Sequence, residues 1–199
     1  MNFVGDAIKL DLEGIGQLSE EFGIELASLR AVILVESAGS GFDSFGRPKA
    51  LFERHHFYKY IKANYDEALV NEAVSKKLAY PKWGTLPYPK GSTAVYQEIE
   101  AAYEIAPREA LLSTSWGMGQ VMGSNYAAAG CASVEEMVDQ AMESEELQLK
   151  QMLNFIKNAN LLTKLKVQDW AGFAKGYNGP AYATNQYDTK LEAAYNRYA

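Results

Sequence analysis

Residues 26–37 read LASLRAVILVES, and within them Leu26, Leu29, Val32, Ile33 and Glu36 recur at three- and four-residue steps. That period marks one face of an α-helix. The stretch is therefore predicted to be a helix that buries its apolar stripe and carries a carboxylate at the end of it. Similar stripes around 66–79, 93–106, 145–160 and 187–198 extend the helical pattern over most of the chain. Pro107 suits a first helical turn, and Ser133 with Glu136 three residues on forms a capping box ahead of Met137 and Val138. The predicted fold class is mainly α, with a small β insert.

That insert follows Ser37. Gly39, Gly41 and Gly46 supply turn chemistry, and Pro48 precedes the short run Ala50, Leu51, Phe52, which predicts one small hairpin or a three-stranded scrap of sheet. Three of the six prolines, Pro81, Pro87 and Pro89, fall with Gly84 and Gly91 between residues 80 and 92. This is predicted to be an extended loop dividing one domain, 1–199, into two lobes with a cleft between them.

The chain has 199 residues, 48% hydrophobic and 22% charged, which excludes a disordered chain. No apolar run approaches the roughly eighteen residues of a membrane span. The start, MNFVGDAIKLDLEG, has acids where an export leader has a basic region. Neither membrane insertion nor a signal peptide is expected. Cys131 is the single cysteine, and with two histidines it makes no four-ligand zinc set, so no disulfide, no metal and no cofactor is expected. His55 and His56 are adjacent and diverge in direction, which disfavours a joint metal site. The net charge of −6 argues against a nucleic-acid partner. It is uneven: residues 150–199 hold seven Lys/Arg and three Asp/Glu, net +4, leaving −10 for residues 1–149. The C-terminal lysines either solvate outer helix faces or form a weakly basic rim facing an anionic polymer.

Glu36 is the first candidate for chemistry, because it continues the stripe of the five apolar residues Ala31 to Val35 at the helix's C-terminal end. Desolvation and the negative end of the helix dipole both disfavour its charged form, which keeps a proton available for general acid work. The plainer reading is a helix-end glutamate paired with Arg30 or Arg54. Glycoside hydrolysis commonly sets two carboxylates across the scissile bond, and Asp43 and Glu53 are the candidates for the second. Glu53 is predicted to share an inward strand face with Leu51, or else to be satisfied by Arg54 or Arg47. Asp43 also suits a turn.

The segment STSWGMGQVMGSNY, residues 113–126, fails as a dinucleotide loop, since its third glycine is one residue late and no βαβ unit surrounds it. Its glycines are predicted to let backbone approach a ligand while Gln120 presents an amide, with tight helix packing as the alternative. In FAKGYNGPAY, residues 173–182, Tyr177 and Asn178 stand at a helix terminus before Gly179 and Pro180. Among the 13 tyrosines and three tryptophans, Trp83 and Tyr88 in the Pro-rich loop are the candidates for stacking on sugar rings.

Taken together, Glu36-Ser37, GMGQVMG at 117–123 and YNGP at 177–180 resemble the three-motif pattern of the lysozyme superfamily, in the form shared by goose-type lysozymes and soluble lytic transglycosylases. More closely, GFDSFGRPKALFERHHF, STSWGMGQVMGSNYAAAG and FAKGYNGPAYATNQYDTKLEAAY are similar to the N-acetylmuramidase family of peptidoglycan hydrolases, over about Gly23 to Tyr198. The resemblance implies a lysozyme-like helical domain with a small β-rich insert beside a saccharide cleft. It also implies cleavage of the β-1,4 bond between N-acetylmuramic acid and N-acetylglucosamine, with Glu36 as proton donor. Gln120, Tyr177 and Asn178 would line the cleft, with Ser115 nearby, and Glu53 is favoured slightly over Asp43 as the second carboxylate.

A lytic transglycosylase and an idle saccharide-binding protein are the competing readings. The partner expected is bacterial peptidoglycan, met by a monomer without a separate wall-binding module. A phage endolysin held in the host cytoplasm until release and acting on the wall in the periplasm is the expected setting. An effector exported by dedicated machinery would look the same.

Overall fold

The computed structural model describes residues 1–37 and 40–199; Gly39, one of the predicted turn glycines, lies outside the described residues. Helix α1 (Leu12–Phe22) starts where the Asp11 side chain accepts from the Gly14 amide and stops at Gly23, in the left-handed region at φ 59°. Helix α2 (Leu26–Glu36) is the predicted core helix, with Leu29 and Val32 fully buried. Strand β1 (Ala50–Phe52) runs straight into α3 (Arg54–Asn64), followed by α4 (Glu67–Ser75), α5 (Ser92–Ile105) and α6 (Pro107–Leu112), which has Pro107 in its first turn. Strands β2 (Thr114–Trp116) and β3 (Val121–Met122) lead through a 3-10 turn at Gly123–Asn125 into the last helices. These are α7 (Val134–Glu143), α8 (Glu145–Asn158), α9 (Leu162–Lys166), α10 (Trp170–Tyr177) and α11 (Tyr187–Tyr198).

The capping box ahead of α7 forms with one change. Ser133 Oγ accepts from the Glu136 amide at 3.1 Å, but the Glu136 carboxylate reaches past Ser133 to the Ala132 amide at 2.6 Å.

Both forms of the β insert are present. Phe42 bridges Pro48 across a tight hairpin, and β1, β2 and β3 make a three-stranded antiparallel sheet in that order, with Ala50 opposite Trp116 and Ser115 opposite Met122. Two of the three strands thus come from the glycine-rich segment. They are three and two residues long, too short for an alternating pattern to register in sequence. The glycines around them are pressed against protein. A Cβ on Gly117, itself at φ +68°, would stand 2.8 Å from Gln148, on Gly119 2.7 Å from Met152, and on Gly123 2.1 Å from the Leu111 carbonyl oxygen. Close packing of the sheet on α8 and α6 accounts for them, which is the alternative to ligand approach.

Glu53 also sits differently from its predicted strand face, at the junction where β1 ends and α3 begins, its amide donating to the Ser113 carbonyl at 2.8 Å. The Pro-rich segment forms an irregular, mostly exposed loop, and Arg54 pins it through the Pro87 carbonyl at 3.1 Å.

One hydrophobic core runs through the described residues, from Phe3 through Phe52, Ile99, Trp116 and Met137 to Leu191. Phe3 stacks on Trp116 at 5.6 Å, tying the N-terminal segment to the sheet. Helix α2 packs chiefly on α11, with α1 also against it, and α10 in turn packs on α11. That arrangement brings the C-terminal ends of α2 and α10 together beside the sheet, so Glu36 and Asn178 meet. No helix of the described residues is long and apolar enough to cross a membrane.

Candidate active site

The C-terminal end of α2 carries Glu36 into a groove. On one side lies a space of about 440 Å³ lined by Lys49, Ala50, Leu51, Ser92 and Met118; on the other, one of about 360 Å³ lined by Asn125, Phe155, Tyr177, Asn178 and Tyr187. Glu36 and Gln120 border both. The half-buried Glu36 carboxyl accepts from Asn178 Nδ2 at 3.0 Å. Burial pushes its pKa up, and the Asn178 hydrogen bond only partly offsets that. The arginines of the plainer reading are engaged elsewhere: Arg30 lies over the Tyr198 ring and Arg54 pairs with Glu98. Chemically, this is a carboxyl group whose neutral form burial favours, placed where the two halves of the groove meet.

Tyr177 stacks on Phe173 and donates its hydroxyl to the Gly119 carbonyl at 2.9 Å, tying α10 to the turn between β2 and β3. From β2, the buried Ser115 hydroxyl reaches into that turn and donates to Gln120 Oε1 at 3.0 Å. Gln120 Nε2 in turn donates to the Gly117 and Lys49 carbonyls at 2.8 and 3.1 Å. Gln120 thus spans the floor between β1 and the β2–β3 turn, its backbone in the left-handed region at φ 48°.

Glu53 borders a separate small pocket under the Pro-rich loop, although Ala50 and Leu51 just before it line the groove of Glu36. Its partners are neither Arg54 nor Arg47. Tyr88 donates its hydroxyl to Glu53 Oε2 at 2.7 Å, Trp83 Nε1 donates to that hydroxyl at 3.0 Å, and His55 Nδ1 lies 3.3 Å away. Trp83 is 69% exposed, so its ring face is open to a ligand while its nitrogen is committed.

The sequence of these residues matches a known pattern. The profile of the N-acetylmuramidase family fits residues 25–199. The chain belongs to this family. It is a lysozyme-like glycoside hydrolase, and its substrate class is peptidoglycan. Among solved structures, the endolysin of Burkholderia phage AP3 is similar, with 37% identity and a TM-score of 0.87, over 98% of this chain and 73% of that one. No curated protein gives a match.

Asp43 stands in the hairpin beside the groove with all its bonding capacity engaged. It accepts from the Phe45 and Arg47 amides at 2.8 and 2.9 Å, from the Ser92 hydroxyl, and from the Arg47 guanidinium at 2.8–2.9 Å. Burial alone would raise its pKa, but these bonds, Ser92 foremost, hold it below the usual aspartate value. A carboxylate so held contributes stability above the ordinary Asp pKa that is lost as pH falls through the depressed one. We expect Asp43→Asn to cost about 1–3 kcal/mol, read as a lower melting temperature, with a smaller loss of rate in the surviving folded protein.

Several groove residues escaped the sequence reading, among them Lys49, Ser92, Asn125, Phe155 and Tyr187. They come from separate elements and share no linear pattern. Glu145 and Gln148, one turn of α8 apart, were also missed. Glu145 accepts from the Gly41 amide at 2.8 Å, Ser40 at 3.0 Å, Lys9 at 3.1 Å and the Leu10 amide at 2.9 Å; Gln148 accepts from the Met118 amide at 2.8 Å. They anchor the backbone on either side of the groove. Their one sequence signal is two polar residues on the face of α8 that buries Leu149 and Met152.

Proposed function

We propose that this family member cleaves the β-1,4 bond between N-acetylmuramic acid and N-acetylglucosamine by general acid and base catalysis. The observation that carries the reading is the position of Glu36, which borders both halves of the groove and whose pKa burial raises. A sugar chain laid along the groove puts a glycosidic oxygen at Glu36. The carboxyl protonates that oxygen as the bond to C1 breaks, and a water attacks C1 with loss of its proton to Glu53. The Tyr88 hydroxyl bonded to Glu53 Oε2, with His55 Nδ1 3.3 Å from the same oxygen, supports this role by orienting a carboxylate whose other oxygen accepts no hydrogen bond among the described residues. Asp43 has no such spare capacity, which favours Glu53 over it.

Asn178 orients Glu36, and Tyr177, Gln120 and Ser115 hold the groove floor where acetamido and hydroxyl groups would bind. Trp83 and Tyr88 offer a stacking surface beyond Glu53. An idle saccharide binder would gain nothing from a desolvated acid at this position. Likeness to the Burkholderia phage endolysin supports an endolysin role, with the enzyme stored in the host cytoplasm and acting on the wall after release.

Mass analysis of fragments from purified peptidoglycan tests the reading. Reducing muramic acid ends are expected; 1,6-anhydro ends, one water lighter, would make the enzyme a lytic transglycosylase and remove the base from the mechanism. Carboxylate catalysis of this kind needs no Lewis acid, and among the described residues no three His, Cys, Asp or Glu gather as ligands. Activity in excess chelator is therefore expected to equal that without it, measured as the rate of turbidity loss.

A further inference from the structure

The groove does not end at Asn178. Tyr187, at the start of α11, borders both the Glu36 groove and a second one of about 500 Å³ running between α2 and α11. Its walls include Leu34 and Val35, the two residues before Glu36, with Lys190 and Arg197 from α11. Every charged group lining this branch is basic. Neither cation has an acidic partner among the described residues; Lys190 Nζ lies 5.6 Å from the centre of the Tyr187 ring. This local +2 belongs to a molecule of net charge −6, so the branch is a basic exception on an acidic surface. Leu34, 40% exposed, adds an apolar wall.

We propose that this side groove is a subsite for the acidic peptide stem of the substrate. The inference rests on the muramidase reading. Muramic acid carries its stem through the lactyl ether on O3, so the peptide leaves the glycan strand sideways, and a groove opening laterally from the cleft beside the scissile position is where it would lie. The stem presents several carboxylates and alanine methyl groups. Lys190 and Arg197 meet the carboxylates, and Leu34 and Val35 meet the methyls. The volume falls in the range typical of ligand pockets. Because the cations are near the surface, their attraction is modest and screened by salt.

The test uses soluble, un-crosslinked glycan chains with their stems, and the same chains after an amidase has stripped the peptides. At low salt the wild-type protein is expected to show a kcat/KM about three- to tenfold higher on stem-bearing chains, the scale of two solvent-accessible ion pairs. In Lys190→Ala/Arg197→Ala that ratio falls close to one, and in Lys190→Glu/Arg197→Glu below one. A control with the same change of net charge, Lys157→Ala/Lys166→Ala on the exposed surface of α8 and α9, keeps the wild-type ratio. A wild-type ratio of one, or a ratio unchanged in the α11 variants, overturns the subsite. An equal fall in the control shows diffuse charge attraction and overturns it as well. Failure of the wild-type protein to cut either chain would instead strike the muramidase reading itself.

Discussion

Glu36→Gln is expected to abolish wall-lytic activity and leave the fold intact. The amide has nearly the shape of the acid, and its oxygen can still accept from Asn178 Nδ2, the bond that holds Glu36 at 3.0 Å. What it lacks is a proton to deliver to the departing oxygen. General acid catalysis contributes about a hundred- to ten-thousandfold, and the loss should fall in that range, measured as turbidity decrease of permeabilised cells. The pH dependence has a definite sign. Burial raises the Glu36 pKa, so the wild-type rate declines as pH climbs through the raised value. Stability follows the same direction. A carboxyl with a raised folded-state pKa favours the fold most below the ordinary glutamate pKa, and that advantage is lost as pH rises through the raised one. At neutral pH the Gln variant should therefore melt at or above the wild-type temperature, because it has no charge to desolvate. A folded variant with near wild-type rate would remove Glu36 from the mechanism.

Glu53→Gln should be nearly as damaging, by about a hundredfold or more if Glu53 takes the proton from water. The substitution keeps an acceptor for the Tyr88 hydroxyl, so the link from the Pro-rich loop to β1 survives. A rate loss without a matching fall in melting temperature identifies a lost base; a parallel fall in both identifies a lost structural contact. Two groups acting on one transition state do not contribute additively, so Glu36→Gln/Glu53→Gln should lose little more than either single variant. Retention of most activity in Glu53→Gln, with anhydro ends in the product, would point to the sugar's own hydroxyl as nucleophile.

Much of the scaffold was written in local chemistry. The three- and four-residue steps of α2, the caps at Ser133 and Pro107, and the Pro-rich break at 80–92 are short-range signals, each decided within a few residues by helix geometry or backbone restriction. Glu36 was legible for the same reason, since an acid ending an apolar stripe is a contradiction visible in one dimension. The resemblance of three separated motifs then joined Glu36 to Gln120, Tyr177 and Asn178.

The tertiary structure alone decided the rest, because the deciding contacts span long stretches of chain. Strand β2 exists through pairing with β1, more than sixty residues earlier in register from Ala50 to Trp116, and β3 through pairing with β2, neither through any pattern of its own. Asp43 and Glu53, between which the sequence favoured Glu53 only slightly, differ in surroundings that only the tertiary structure shows: one is saturated by Ser92 and Arg47 and the other is met by Tyr88 from the far loop. The glycines at 117–123 owe their places to side chains of α8 and a carbonyl of α6 that no local reading contains. Composition showed a positive C-terminal quarter, but burial and helix packing determined that two of its cations face a groove continuous with the cleft. Periodicity specifies which face of an element is buried; which other element covers it is settled by packing between residues far apart in the chain.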